Sequence, residues 1–421
     1  MTGRDGTKGN NRRRMSIVGG AVGAFAAAAA MATGSAVTAA PAKADIDALL
    51  DPIIQPLITS LSDAIAGFDP AAAADLTTWT DSLLTSLNSL DIGAALPASA
   101  EPAAALAASD PTPATAVLPV TMLEGTEPTV QATVDGANNT LLVDTGSSGL
   151  VVPWESLGSN DFSALYNLFT LGLPSSFGES GYSGGVQYLY LTYDNIPVDY
   201  ATAGGGALDT SNTPVDVEVF SWPTSISAGS PLSFEQFLSD NASTGILGIG
   251  DAGNAGPGTS PFDSLGYSGV TVDLPQKDLI VGANDYLVGG QLTPLTPIEN
   301  ALGGAPTVNN NLLEVVTGPT GASIGSGSVS DDIDSGGVYG TIPSTIASTL
   351  APGDKISVYD GQTLLYSYNI AQDGSNAPIV TTGTAGSTNA IDSGVEPYLQ
   401  EPIYIAYTGT DGAITFDQWG T

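Results

Sequence analysis

The sequence predicts an all-β chain of two lobes, preceded by a short helical leader. Three observations carry that prediction. From Ala114 onward, runs of Val, Thr, Tyr and Ile are separated by Gly, Asn, Asp and Pro, the texture of short strands between tight turns. Pro294, Pro297 and Pro306, with Gly303-Gly304, interrupt this pattern and divide it in two. Ahead of it, from Asp45 to Pro113, Ala, Leu, Ser and Asp dominate, and Leu83, Leu84, Leu87 and Leu90 recur at helical spacing after Trp79.

Taken in order, the first element is an export signal over residues 1–44. Arg12-Arg13-Arg14 leads into an Ala/Gly/Val stretch from Ile17 to Ala40, followed by Ala42-Lys43-Ala44, so a basic region, an apolar region and a small-x-small cleavage site stand in sequence. The paired arginines fit the twin-arginine route. So many Ala and Gly residues make a poor spanning helix, and no other stretch is long and apolar enough to cross a membrane. Residues 45–113 read as short amphipathic helices broken by Pro52, Pro56 and Pro70, then an Ala/Pro linker. A mostly antiparallel β region of about 300 residues follows. Its expected parts are a first lobe over 114–292, a linker over 293–306 and a second lobe over 307–421.

Composition narrows the chemistry. The chain of 421 residues has 8 Lys+Arg, 43 Asp+Glu, no His and no Cys. A Ser-His-Asp triad, a Cys nucleophile and a disulfide framework are therefore excluded, and a zinc site would have to be built from oxygen alone. From position 45 onward only Lys277 and Lys355 are basic, against 42 acids. Such a surface repels phosphate, so neither nucleic acid nor an anionic membrane is an expected partner. Carboxylates and hydroxyls remain as reactive groups.

Two carboxylates occupy similar settings. Leu142-Val143-Asp144-Thr145-Gly146-Ser147-Ser148-Gly149 places Asp144 at the end of an apolar strand, on a loop of small residues whose backbone can approach closely. Ile333-Asp334-Ser335-Gly336-Gly337 repeats the setting 190 positions later, in the second lobe. Two adjacent carboxyls cannot both ionise cheaply, so they share a proton, and one can act as base while the other acts as acid. That arrangement activates water against a peptide carbonyl without histidine or metal.

These residues resemble the pepsin-like aspartic proteases. The segment from Leu141 through Asp144-Thr145-Gly146 to Pro153 is similar to that family's first active-site loop and following strand, and Thr244-Gly245-Ile246-Leu247-Gly248-Ile249-Gly250 to the segment packed behind it. Asp278-Leu279-Ile280-Val281-Gly282 through Asp285 to Gly290-Gln291-Leu292-Thr293-Pro294 resembles the strands that end the first lobe. Asp334-Ser335-Gly336-Gly337 with Gly340-Thr341-Ile342-Pro343 resembles the second active-site loop and the helix after it, and Phe416-Asp417 the closing strand. The resemblance implies a bilobal fold with an inter-lobe cleft that takes a polypeptide substrate. It implies that Asp144 and Asp334 are the catalytic pair, that Thr145 and Ser335 bond across the lobes, and that Ser147 donates to Asp144. Gly146 and Gly336 would permit close backbone approach, and Tyr182 in Gly181-Tyr182-Ser183-Gly184-Gly185 would be the flap tyrosine. No metal or organic cofactor is implied, and two active-site loops in one chain imply a monomer.

Export signal, leader and Asp-Ser-Gly-Gly loop together resemble the secreted PecA-like aspartic proteases of mycobacteria, which process PE proteins, although no Pro-Glu hallmark stands near the start of this chain. Two further departures bear on catalysis. Gly337 stands where the pepsin-like family has a hydroxyl residue, and Ser330-Asp331-Asp332 replaces an apolar strand, adding negative charge beside Asp334. Ile391-Asp392-Ser393-Gly394 is a rival loop without the Thr-Ile-Pro continuation, so Asp334 ranks above Asp392. The alternatives are a catalytically impaired peptide-binding or cell-surface relative and a two-carboxylate glycoside hydrolase. The spacing of Asp331, Asp332 and Asp334 does not match a calcium loop.

Overall fold

The computed structural model describes residues 115–182, 186–223, 231–250, 258–283, 291–293, 308–381, 390–407 and 413–416. The expected export signal, the helical leader, most of the linker, the flap tip at 183–185 and Asp417 lie outside the described residues.

The fold is all-β, and the described residues form three sheets. A ten-stranded sheet draws its strands from Thr121–Leu123 to Gly245–Ile249. A seven-stranded sheet is built between Val308–Thr317 and Ala390–Asp392. The third sheet, of six strands, is shared between the two halves of the sequence: Ala116–Pro119, Asp278–Val281 and Gly269–Asp273 continue into Ile403–Ala406, Ala413–Phe416 and Gln291–Thr293. Alternation of buried and exposed residues marks the outer strands, as in Val198–Ala201. Ser148–Pro153, Gly245–Ile249 and Gly269–Asp273 are buried throughout, which is why they read as near-continuous apolar or small-residue runs.

The pairing is not purely antiparallel. Gly245–Ile249 lies parallel to Ala137–Asp144, with Gly248 opposite Asp144, and antiparallel to Ser148–Pro153. The second half repeats this arrangement. There Ala390–Asp392 runs parallel to Ser323–Asp332, with Asp392 opposite Asp332, and antiparallel to Thr341–Pro343. In each half a strand, a loop and a returning strand are clasped by a third strand, and each loop carries one of the two aspartates.

Helices are few. Asp161–Thr170 begins at Asn160, whose side chain accepts from the Ser163 N–H while the Ser163 hydroxyl accepts from the Asn160 N–H, a reciprocal cap. Phe234–Asp240 begins at Ser233, whose side chain accepts from the Gln236 N–H. The helix expected after Gly340-Thr341-Ile342-Pro343 does not form: a three-residue strand, Thr341–Pro343, passes into a turn closed by the Ile346 N–H on the Pro343 carbonyl. The run Ser344-Thr345-Ile346-Ala347-Ser348-Thr349 is rich in β-branched and hydroxyl residues with poor helical propensity, and Pro352 stops it.

The main core runs through all three sheets. Leu141, Val143, Leu247 and Ile249 join Leu312, Val316, Ile342 and Ile391, with Ile403, Ile405, Ile414 and Phe416 from the shared sheet. A second apolar cluster sits behind the first loop, formed by Leu142, Val151, Ile246, Tyr182, Tyr188, Phe234 and Phe237, with Val338 from the second loop.

Candidate active site

Asp144 ends its strand and Asp334 lies two residues past Ser323–Asp332. Both are buried, at 3% and 0% exposure. The clasped-loop topology brings their carboxylates together. The Gly146 N–H donates to Asp144 Oδ1 at 2.9 Å and also reaches Asp334 Oδ1 at 3.2 Å, so one backbone donor touches both groups. The Gly336 N–H donates to Asp334 Oδ1 at 2.8 Å. A side chain at Gly146 would place its Cβ 2.6 Å from the Asp334 Cγ, and one at Gly336 would sit 2.9 Å from the Asp144 Cγ. Neither loop can carry a larger residue there and keep the carboxylates this close.

The loops are tied by crossed hydrogen bonds. The Thr145 hydroxyl donates to the Ile333 carbonyl at 2.7 Å and accepts from the Ser335 N–H at 2.8 Å. Reciprocally, the Ser335 hydroxyl donates to the Val143 carbonyl at 2.7 Å and accepts from the Thr145 N–H at 3.2 Å. Tyr398, fully buried, adds its hydroxyl to this knot, 2.8 Å from Thr145 Oγ1 and donating to the Ile333 carbonyl at 2.8 Å. The Asp334 N–H donates to the Ser393 hydroxyl at 3.1 Å. Tyr398 and Ser393 belong to no motif singled out as catalytic. Ser393 was visible only as part of the rival Asp-Ser-Gly, and no local signal marks Tyr398.

The two carboxyls are not equivalent. Ser147 Oγ donates to Asp144 Oδ2 at 2.6 Å, whereas Gly337 stands at the corresponding place beyond Asp334 and supplies no hydroxyl. A Cβ on Gly337 would collide with Asp392 Oδ1, so the space for a side chain is taken by that carboxylate. The structure thus gives Asp392 a place beside Asp334 rather than opposite Asp144, and the Gly394 N–H donates to its Oδ1 at 2.8 Å. Burial pushes the Asp144 carboxyl up, opposed by hydrogen bonding from Asp334, Ser147 and Gly146. Burial pushes Asp334 well above the carboxylate range, and the charges of Asp144, Asp392 and Asp332 add to it. Hydrogen bonding therefore favours the charged form at Asp144, while the neighbouring charges disfavour it at Asp334.

Tyr182 ends the strand Ser176–Tyr182 and is 3% exposed. Its ring stacks at 5.3 Å on Phe237 and 5.7 Å on Tyr188. Burial, and next the charge of Asp144, raise its phenol pKa.

Behind Asp334 the acidic strand is internal. Asp331 is fully buried and accepts from the Tyr366 hydroxyl at 2.7 Å. Glu314, 2% exposed on the adjacent strand, faces Asp331, Tyr366 and Tyr368, and burial pushes its carboxyl up to about 8 from 4.5. A carboxyl whose folded pKa exceeds its unfolded pKa contributes stability that is complete below the unfolded value, about 4.5, and is lost as pH rises through about 8. That loss is on the order of 5 kcal/mol. The wild-type Tm is therefore expected to fall between pH 5 and 9 more steeply than that of Glu314→Gln, as measured by thermal denaturation across that range.

A paired-carboxylate site on two clasped loops, held in an all-β fold, is the architecture of an aspartic peptidase. The family model for the PE-PGRS C-terminal aspartyl peptidase-like domain matches residues 116–415, and the chain belongs to this family. Among its relatives is PE cleavage protein A of Mycobacterium tuberculosis, 34% identical over 323 residues, covering 71% of this chain and 51% of that protein. PE cleavage protein A of Mycobacterium marinum is 34% identical over 320 residues, with 71% and 52% covered. The chain thus spans about half the length of these relatives.

Proposed function

We propose that this protein is an exported aspartic endopeptidase in which Asp144 and Asp334 activate a water against a peptide bond. The observation that carries the reading is the single Gly146 N–H bonded to both carboxylates, one of which is buffered by Ser147 while the other is driven towards its protonated form. Ionised Asp144 takes a proton from the attacking water, whose oxygen bonds to the scissile carbonyl carbon. Protonated Asp334 donates to the carbonyl oxygen. The tetrahedral diol then collapses: Asp144 passes its proton to the leaving nitrogen, Asp334 takes one from a diol hydroxyl, and the C–N bond breaks. Thr145, Ser335, Gly146 and Gly336 act as positioning residues, and Tyr182 covers the site from the first-lobe side.

In this reading the lobes are 114–292 and 307–421, joined by 293–306, with a leader and linker over 45–113 following an export signal over 1–44. The basic and apolar runs of the first 44 residues support export. The protein acts as a monomer on polypeptide chains without a catalytic metal. The name PE cleavage protein A describes action on PE proteins by the relatives. Kinship with them supports exported or cell-surface proteins as the substrate class here.

The test is cleavage of an unbiased peptide library by the purified full chain, and by a form lacking 1–113, between about pH 3 and 7, with and without a statine-type inhibitor. Inhibitor-sensitive cleavage is the expected result. A folded protein that binds peptides in both forms without turnover would favour the impaired, peptide-binding relative, the reading that the missing hydroxyl at Gly337 supports. Asp392 offers a finer check. Its charge raises Asp334, so Asp392→Asn is expected to move the alkaline limb of kcat/KM to lower pH, while Asn Oδ1 still accepts from Gly394.

A further inference from the structure

We propose that Glu155, Glu218 and Glu235 form a site for one hard divalent cation of calcium's size, which ties the strand leaving the Asp144 loop to the helix that supports Tyr182. Three separate elements bring the carboxylates together. Glu155 lies in the 3-10 turn Trp154–Leu157, directly after Ser148–Pro153. Glu218 lies on Val215–Pro223, opposite Pro153, where the ladder to Val186–Tyr193 is interrupted by a bulge before Phe220. Glu235 is in the first turn of Phe234–Asp240. One carboxylate oxygen from each lies within 4.8 Å of the other two.

Burial is the second observation. Glu218 is only 1% exposed, yet its Oε2 has no hydrogen-bond partner among the described residues, and the same holds for the buried Oε2 of Glu155. A buried acceptor without a donor costs about 1–3 kcal/mol, and more when charged. Among the described residues no protein cation meets this need. Lys277 sits in the turn before Asp278–Val281 and Lys355 begins Lys355–Asp360, both in other sheets, while the further charge near Glu155 is Asp161. Ca²⁺ accepts six to eight oxygens at about 2.3–2.6 Å in flexible geometry, so carboxylate oxygens no more than 4.8 Å apart can share one such ion. Mg²⁺ requires a near-ideal octahedron and keeps its waters, which carboxylates converging from three elements do not prearrange.

The site is structural and separate from peptide hydrolysis. Phe234 and Phe237, on the same helix as Glu235, stack on Tyr182 at 6.0 and 5.3 Å, so a cation held here anchors the platform under that ring.

The test uses the purified full chain stripped with a chelator. Calorimetric titration with CaCl₂ is expected to show one saturable site per chain, and excess Ca²⁺ is expected to raise Tm by about 3–6 °C. MgCl₂ is the comparison arm. Glu235→Gln, at a half-buried position, is expected to fold with an undiminished Tm in chelator, because it removes like-charge repulsion, and to lose at least about tenfold in Ca²⁺ affinity. Glu155→Gln provides a second such variant. Absence of saturable Ca²⁺ binding by the stripped wild type would overturn the proposal. Undiminished binding by the Glu155→Gln/Glu235→Gln double variant would do the same, and equal affinity for Mg²⁺ would overturn the size assignment.

Discussion

Replacing Asp144 by Asn is expected to lower kcat on a cleaved peptide by about 10³–10⁴-fold while leaving the protein folded. The substitution keeps the shape of the side chain. Asn Oδ1 can still accept from the Gly146 N–H at the place where Asp144 does so now at 2.9 Å, and the Ser147 hydroxyl can turn to accept from the amide at the present 2.6 Å contact. What disappears is the anion that takes the water's proton and, with it, one of the charges that add to burial in raising the Asp334 carboxyl. Both losses act on the chemical step, so kcat should fall with little change in Tm. Residual turnover above about one per cent of wild type would remove Asp144 from the role of base.

The second large effect is on stability. Ser335→Ala removes the donor to the Val143 carbonyl and the acceptor of the Thr145 N–H, both inside the buried knot between the loops. Two buried backbone groups lose their partners at about 1–3 kcal/mol each, giving roughly 2–6 kcal/mol in all. Activity should fall as well, because the close approach of the carboxylates depends on this tie. Urea denaturation is the direct measurement, with a shift in midpoint at unchanged slope expected. A shift below about 0.5 kcal/mol would mean that the tie is dispensable and that the shared sheet alone sets the loop positions.

These effects trace back to segments of very different readability. The Asp144 loop could be read directly, because strand, aspartate, small residues and returning strand are contiguous and each has a local reason. Asp334 could be ranked above Asp392 from the residues that follow each, but no local signal indicated that Asp392 would lie against Gly337. That depends on a parallel pairing between strands far apart in sequence. The same difficulty hid Tyr398, whose contribution is one hydroxyl placed by tertiary packing. The acids at Asp331 and Asp332 looked like a departure from an apolar strand. Inside the protein Asp331 is accommodated by the Tyr366 hydroxyl, with burial holding its carboxyl well above the usual range, which hydropathy alone does not encode. The expected helix after Pro343 failed for a reason that was available in the sequence, since hydroxyl and β-branched residues fill the segment.

The shared six-stranded sheet also sets the order in which the molecule can assemble. Gly269–Asp273 waits for Ile403–Ala406, and Gln291–Thr293 for Ala413–Phe416, and the whole seven-stranded sheet lies between them in sequence. As the chain is made, the first half emerges with one margin of Gly269–Asp273 unsatisfied and its buried Val270 and Val272 uncovered. Closure of that margin is a long-range event with a high loop-entropy cost, so folding is slow and comes late in synthesis. A ribosome-bound or truncated first half would expose a sticky strand edge and be prone to aggregate, which makes completion of the last strands the step that commits the protein to its native state.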